Sequence, residues 1–407
     1  MKKTVEDFIK QAERYGAKNY APLPVVLTKG DGIYLYDING KKYFDMLSAY
    51  SAVNQGHNNK KLIKAAIKQL KRLYLTSRAF HNDKMGDFLQ KIAEITGYEK
   101  VIPMNTGAEG VETAIKIMRK YAYEKKGIKK DCGEIIVAEN NFHGRTTTIV
   151  GFSTDKTTKE GFGPYTPGFK IIKYNDIGEL EKAINENTIG YLVEPIQGEA
   201  GVIIPDDDYF RKVREICDKY GILLAFDEIQ TGLGRTGKLF CFQHYRIKPD
   251  ILILGKALSG GLYPISCVAT SAEIMNVLTP GTHGSTFGGN PLASAIGIAS
   301  LEYIIKNKLP ENAEKLGKYF IEKLKKEIMD DDIKEIRGKG LLIAVEMKKP
   351  VARKVCIELM RVGILAKDTH EKTIRFAPPL IIKKKQIDKA VMKIKKGFEN
   401  FRKCSCT

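Results

Sequence analysis

No run of about 18 apolar residues occurs in the chain, so the sequence holds no segment of the kind that crosses a bilayer as a helix. Its opening stretch, MKKTVEDFIKQAERYG, lacks the apolar centre of a secretory signal and carries Glu6, Asp7 and Glu13. The cytoplasm is the compartment expected on these grounds. Cysteine is sparse and unpatterned: the seven, at 132, 217, 241, 267, 356, 404 and 406, are odd in number and scattered, with no CxxC and no His at metal-ligand spacing. That argues against a disulfide framework and a zinc site, and leaves Cys404 and Cys406 to be read as part of a frayed tail. Internal repeats, low-complexity linkers and concentrated Arg-rich or aromatic-interleaved patches are also missing. The last absence matters because the chain is basic, with 67 Lys plus Arg against 48 Asp plus Glu and a formal charge of +19. Such a balance suits nucleic acid or anionic small molecules. The lysines, however, are spread over amphipathic segments such as KKLIKAAIKQLKRL (60–73) and KKKQIDKAVMKIKKGF (383–398), as on solvated helix faces. Neither a metal, a nucleic acid nor a membrane is an expected partner.

What is present is enough apolar material, 43% of 407 residues, for one large core and a second smaller one. KGDGIYLYDINGKKYFDML (29–47) reads as a hairpin of alternating strands around Asn39-Gly40. Helical spacing of apolar residues follows in KLIKAAIKQLKRL, MGDFLQKIAEITG and GVETAIKIMRKYAYEK, as it does earlier in VEDFIKQAERY. Between later helices lie short unbroken apolar runs: EIIVA (134–138), FKIIKY (169–174), GYLVEP (190–195), ILLAFDE (222–228), DILILGK (250–256) and ISCVAT (265–270). Runs of this type, spaced by helices, are strands buried on both faces of a parallel or mostly parallel sheet. Past residue 308 a Lys/Glu-rich helix, IRGKGLLIAVEMK, another helix and GILAKDTHEKTIRFAPPLII predict a small α+β lobe. The expected fold is thus α/β, a large domain at 51–307 with its mostly parallel sheet flanked by helices and a C-terminal small domain at 308–407. Residues 1–50 form an N-terminal segment that belongs with the small lobe.

Ligands of such sheets sit at the carboxyl ends of the strands, and the unusual residues fall there. DILILGK ends a buried strand on Lys256, which is costly unless the amine is neutralised, paired or used covalently. A lysine whose stem packs while its head reaches water satisfies the same letters. ILLAFDEIQTGLGRTG ends a second buried strand on Asp227, and one crossover brings that carboxylate to the rim that holds the amine. A Schiff-base lysine facing a pyridine ring whose nitrogen meets an Asp is the arrangement pyridoxal 5′-phosphate requires. The carboxylate keeps the ring nitrogen protonated, since a nearby opposite charge favours the charged form by roughly 1 to 3 pKa units. Thr106, Gly107 and Ala108 open a helix whose free N–H groups suit a phosphate, although an ordinary N-cap fits them equally. GTHGSTFGGNP (281–291) adds the hydroxyls of Ser285 and Thr286 in a loop that is also readable as a tight turn.

GAEGVETA, NNFHGRT, VEPIQGEAG, FDEIQTGLGRTG, GKALSGG and GTHGSTFGGNP, in this order and over essentially the whole chain, resemble the class III, fold-type-I aminotransferases. GAKNYAPLPVVL, LSAYSAVNQGH, LTSRAF, GKALSGGLYP and IRFAPPL further resemble the branch of that family that acts on ornithine rather than on acetylornithine. The resemblance implies a cofactor, pyridoxal 5′-phosphate, held covalently by Lys256, which also shuttles the proton. Asp227 would face the ring nitrogen, Gln230 the ring hydroxyl and Phe142 the ring face. Gly107 and Ala108 would cradle the phosphate, joined by Ser285 and Thr286 of a second subunit, so a homodimer with shared active sites is implied.

The resemblance also implies the substrates: ornithine and 2-oxoglutarate going in, glutamate and glutamate 5-semialdehyde coming out. Arg145 and Tyr20 would hold the α-groups of ornithine, with Tyr50 shaping the pocket. Arg375 would take the α-carboxylate of 2-oxoglutarate while Arg145 takes its distal carboxylate, as an Arg fork matches a carboxylate bidentately. Glu199 would mask Arg375 while ornithine is bound; a fixed structural pair is the plainer reading of the same two residues. His143 is expected to be a hydrogen-bonded structural histidine without a catalytic role. The match begins close to Met1, so no room for a mitochondrial presequence is expected. The same chemistry on acetylornithine or another ω-amino acid is the alternative.

Overall fold

The unbroken apolar runs become the strands of one seven-stranded sheet, and the residues at their carboxyl ends become the site. The structure is a computed structural model that describes residues 3–405; the thiols of Cys404 and Cys406 lie outside what it describes. In chain order the strands are β1 (Leu27–Asp31), β2 (Tyr34–Asp37), β3 (Lys42–Asp45), β4 (Lys100–Met104), β5 (Glu134–Ala138), β6 (Phe169–Ile172), β7 (Thr188–Val193), β8 (Leu223–Asp227), β9 (Ile251–Leu254), β10 (Ser266–Thr270), β11 (Ile333–Lys339), β12 (Leu342–Met347), β13 (Ile364–Leu365), β14 (Lys367–Thr369) and β15 (Thr373–Phe376).

The central sheet has the order β4-β10-β9-β8-β7-β5-β6. The ladders β6-β5-β7-β8-β9 are parallel, while β10 runs antiparallel to both β9 and β4. The sheet is therefore mostly parallel, with one reversed strand that the sequence does not announce. Alternation across the pleat splits its side chains between two cores. Ile136, Ala138, Leu224, Phe226, Leu252 and Leu254 face one. Ile135, Val137, Leu223, Ala225, Ile251 and Ile253 face the other, against Val111, Ile115 and Met118 of the helix Gly107–Lys125. All twelve are almost fully buried, so truncating one, as in Leu252→Ala, is expected to cost about 2 to 5 kcal/mol.

Two smaller antiparallel assemblies complete the molecule. The predicted hairpin is β2 and β3, turned through Asp37–Lys41, where Gly40 has φ 82° and Asp37 Oδ1 accepts the N–H groups of Asn39 and Lys41. An additional strand, β1, pairs with β2, and β13 joins β3 in parallel, so the N-terminal strands share a sheet with the C-terminal region. The third sheet, β11-β12-β15-β14, places Arg375 on β15 between Ala344 and Lys367. No helix among the described residues is long and apolar enough to cross a membrane.

Candidate active site

Five strands of the central sheet deliver residues to one rim. β8 ends on Asp227, which is 5% exposed, and β9 beside it leads through Gly255 into Lys256. Lys256 adopts φ 43°, left-handed backbone for a residue with a Cβ, so the chain turns sharply as the strand ends. Burial lowers the Lys256 pKa from its ordinary 10.5, partly offset by the Glu199 and Asp227 carboxylates. Asp227 is held from two sides: its Oδ1 accepts the Ile229 N–H at 3.0 Å, and its Oδ2 lies 2.8 Å from His143 Nδ1. The side chain of His143 is fully buried. Burial would lower its pKa, but the hydrogen bond and charge of Asp227, with Glu194 beyond, bring it above the usual 6.5. The expected hydrogen-bonded histidine is present, and its partner is the carboxylate at the centre of the site.

A second carboxyl was not anticipated. Glu194 follows β7, lies 7% exposed and accepts the Phe142 N–H at 2.9 Å. Burial is the largest influence on it and raises its pKa to about 8, with Asp227 and Glu199 adding to the rise and His143 opposing it. Strand-end position in VEPIQGEAG was the available signal, but Glu199 drew the assignment.

The third group is an arginine–glutamate pair on β15 and the segment after β7. Arg375 Nη1 and Nη2 grip Glu199 Oε1 and Oε2 at 2.7 and 3.0 Å, and Nη1 also donates to Gly198 O. Burial would raise the Glu199 pKa, but Arg375, Lys256 and a hydrogen bond from Gln230 Nε2 lower it to about 2. Gln230 reaches this position because residue 198 is glycine: a Cβ there would stand 1.6 Å from Gln230 Oε1. The Tyr50 ring lies 5.7 Å from the Arg375 guanidinium carbon, within cation-π range.

An unusual turn presents that ring. Ser48, Ala49, Tyr50 and Ser51 all have φ between 47° and 71°, one turn of left-handed backbone without a glycine. Asp45 Oδ1 accepts the Leu47 and Ser48 N–H groups, and Ser48 Oγ donates to Ala377 O at 2.7 Å, so side chains hold the turn.

These groups border a cavity of about 1160 Å³ lined by Tyr20, Tyr50, Phe142, Arg145, Glu199 and Arg375, among others. Arg145 forms no hydrogen bond or ion pair among the described residues; its guanidinium lies 5.5 Å from the Phe142 ring. It is an open cation in the cavity, whereas Arg375 is neutralised. Lys256, Asp227 and Gln230 lie outside this lining, on the sheet rim. Gly107 and Ala108 lie further along that rim, after β4. There Thr106 caps the helix, and Glu109 returns the bond through the Thr106 N–H. The N–H groups of Gly107 and Ala108 are left without a protein acceptor among the described residues. A Cβ on Gly107 would stand 2.9 Å from Ile229 Cδ1, so Ile229, unremarked in the sequence, fills the space between Gly107 and Gly255. Ser285 Oγ lies 3.0 Å from Asn105 Nδ2 of the same chain, and Thr286 is exposed on the same loop.

The arrangement fits pyridoxal phosphate. A lysine of lowered basicity and an anchored carboxylate end adjacent strands, two helix-start N–H groups are free, and Gln230 Oε1 and His143 Nε2 are buried without partners. Residues 15–398 match the family Aminotransferase class-III. The chain is 54% identical over 398 residues to the ornithine aminotransferase of Geobacillus sp. (strain WCH70), covering 98% of this chain and 99% of that one. A solved ornithine aminotransferase from Toxoplasma gondii, with partial occupancy of PLP at its active site, aligns with a TM-score of 0.98 at 45% identity, covering 99% of this chain and 96% of that one. An acetylornithine aminotransferase from Elizabethkingia anophelis aligns with a TM-score of 0.89 at 47% identity, covering 98% and 100%.

Proposed function

The chain belongs to the class-III aminotransferases, a family that depends on pyridoxal phosphate, and from that premise we propose how its own residues work on ornithine. The enzyme transfers the δ-amino group of L-ornithine to 2-oxoglutarate, giving glutamate and glutamate 5-semialdehyde, which cyclises to pyrroline-5-carboxylate. The observation that carries the substrate reading is the contrast between two of the three arginines that line the cavity, Arg145 open and Arg375 masked, the third, Arg353, being engaged with main-chain carbonyls and Asp368.

Lys256, Asp227, Gln230, Phe142, Gly107 and Ala108 hold the cofactor in this reading, with Ser285 and Thr286 contributed by a second subunit. When bound, pyridoxal phosphate supplies an aldehyde for the amino group and a cationic ring that withdraws electrons from the carbon losing its proton. Asp227, fixed by the Ile229 N–H and by His143, would set its carboxyl group beside the ring nitrogen. The lowered basicity of Lys256 favours its free amine, the form that accepts a proton from the reacting carbon.

Ornithine carries one carboxylate, and Arg145 is a cation free to take it with a planar fork; Tyr20 and Tyr50 line the same space and orient its α-end away from the rim. With Glu199 across Arg375, that arginine offers no unpaired charge, and the δ-amine is received beside the pair. 2-Oxoglutarate carries two carboxylates, so it needs Arg145 and Arg375 together, and Glu199 must leave its partner. A protonated Glu194 adds no further negative charge beside Asp227 below about pH 8.

A homodimer is part of the proposal. Leu292 N–H donates to Tyr74 O and Arg78 Nη1 to Gly288 O, setting the 72–82 segment against the loop that bears Ser285 and Thr286. Tyr74, Phe80 and Phe287 stand exposed there, 63%, 69% and 46%, an apolar surface that a second copy would cover. The division at residues 50 and 307 and a cytoplasmic location belong to the same proposal.

The similarity to an acetylornithine aminotransferase favours one second reading, use of the Nα-acetylated amine. Loading the enzyme with pyridoxal phosphate and following its visible absorption after adding ornithine, acetylornithine, 4-aminobutyrate or glutamate separates them. The fastest spectral conversion is expected with ornithine, and faster conversion with acetylornithine overturns the assignment in favour of the second reading.

A further inference from the structure

The segment that carries Tyr20 is tethered at one place. From Ala17 to Pro24 the chain forms no helix or strand, and Pro22 and Pro24 have no N–H to bond. Among the described residues, only three hydrogen bonds reach the main chain of this stretch. Leu23 O accepts the Val25 N–H at 2.7 Å; Ala21 O and Pro22 O both accept from Arg353 Nη2, at 2.8 and 2.9 Å. Arg353 stands in the first turn of the helix Ala352–Arg361 and borders the cavity, but its guanidinium is engaged, its Nη1 lying 3.4 Å from Asp368 Oδ1. Lys367 Nζ lies 3.3 Å from the same oxygen. Asp368 is on β14, hydrogen-bonded to the strand that holds Arg375, so the tether is fixed to the same sheet as the masked arginine.

Proline at 22 and 24 stiffens the stretch and biases Ala21 and Leu23 toward extended backbone. Tyr20 lines the cavity while 73% exposed, so pinning the carbonyls of 21 and 22 sets the direction in which this preceding residue stands at the cavity's edge. A planar guanidinium is suited to the task, since one of its nitrogens bonds two successive carbonyls while the other meets a carboxylate.

We propose that Arg353 is a positioning residue for the amine donor: by clamping Ala21 and Pro22 it sets Tyr20 at the cavity's edge and tunes the affinity for ornithine without setting that for 2-oxoglutarate. The inference rests on the reading that Tyr20 contacts the donor. The test compares cofactor-loaded Arg353→Met, Arg353→Lys and Tyr20→Ala enzymes in steady-state kinetics and in limited trypsin digestion, with cleavage after Lys18 followed by mass spectrometry. Arg353→Met is expected to raise the KM for ornithine about five- to tenfold, the factor that about 1 to 1.4 kcal/mol of lost ordering carries. Its kcat and its KM for 2-oxoglutarate should stay near those of the parent, cleavage after Lys18 should accelerate, and Arg353→Lys should restore part of the donor affinity. An unchanged cleavage rate, or equal weakening of both substrates, overturns the clamp. Faster cleavage in Arg353→Met together with an unaltered ornithine KM in Tyr20→Ala instead overturns the role of Tyr20, and the donor effect falls with it.

Discussion

Replacing Glu199 by glutamine removes the mask from Arg375 while keeping a side chain of the same shape that can still bond Gln230. The Glu199 carboxyl is brought from an ordinary 4.5 to about 2, and at about 1.36 kcal/mol per pKa unit its charged form is favoured by about 3 kcal/mol. Arg375 and the bonds around it supply more than that net figure, because burial acts in the opposite direction. Any substrate carboxylate that binds Arg375 must first displace this partner. The displaced carboxylate regains part of the energy from Lys256 and from water, since its side chain is 25% exposed. A shift of about 1.4 to 2.7 kcal/mol is left, so the ratio of kcat/KM for glutamate to that for ornithine is expected to rise about ten- to hundredfold in Glu199→Gln. The pair contributes fully above the ordinary carboxyl value and is lost only as pH falls toward about 2, so the shift should be constant from pH 6 to 9. Single-turnover absorption measurements with each donor give the two ratios directly. A ratio unchanged within about twofold in an enzyme that loads cofactor normally would refute the reasoning, because Arg375 would then be no substrate site.

Lys256→Ala should abolish turnover, by at least about a thousandfold, and leave cofactor bound without a borohydride-trapped adduct; measurable turnover would remove Lys256 from the mechanism. Tyr50→Ala opens the wall beside Arg375 and should raise the use of acetylornithine or 4-aminobutyrate relative to ornithine, with competition assays as the check. An unaltered preference takes Tyr50 out of the specificity argument. Glu194→Gln mimics the protonated carboxyl and should hold kcat within about threefold of the parent at pH 7. It should also flatten any limb of the pH–rate profile near 8, where the carboxyl loses its proton, and a large loss at pH 7 would mean that Glu194 works as an anion.

Strands, helices and the rim were legible because burial on both faces writes itself as unbroken apolar runs: EIIVA is β5 from end to end, and ILIL is β9. The reversal of β10 was not, since an apolar run has no direction. Lys256 and Asp227 stood out as charges at the ends of such runs. Glu194 stands in the same kind of place without distinguishing itself, because its buried neighbours His143 and Asp227 come from other strand ends and are brought to it only by folding. His143 illustrates the same limit: a hydrogen-bonded histidine is expected there, while its contact with Asp227 joins β8 to the segment after β5, a pairing no local pattern encodes. The left-handed turn at Ser48–Ser51 left no trace, for glycine normally announces such backbone and SAYS contains none. The Arg353 clamp was equally silent, being a long side chain that meets carbonyl groups some 330 positions away.

That turn has a consequence for anyone who reshapes the pocket. Left-handed backbone costs an L-residue roughly 1 to 2 kcal/mol, so the four successive residues carry a standing conformational debt that Asp45 and Ser48 hold in place. Glycine or asparagine at Ala49 would relax it, yet the same relaxation loosens the ring that walls the cavity. Gains in thermostability and changes in amine range are therefore coupled at these four positions, and a screen that selects for either one will drag the other along with it.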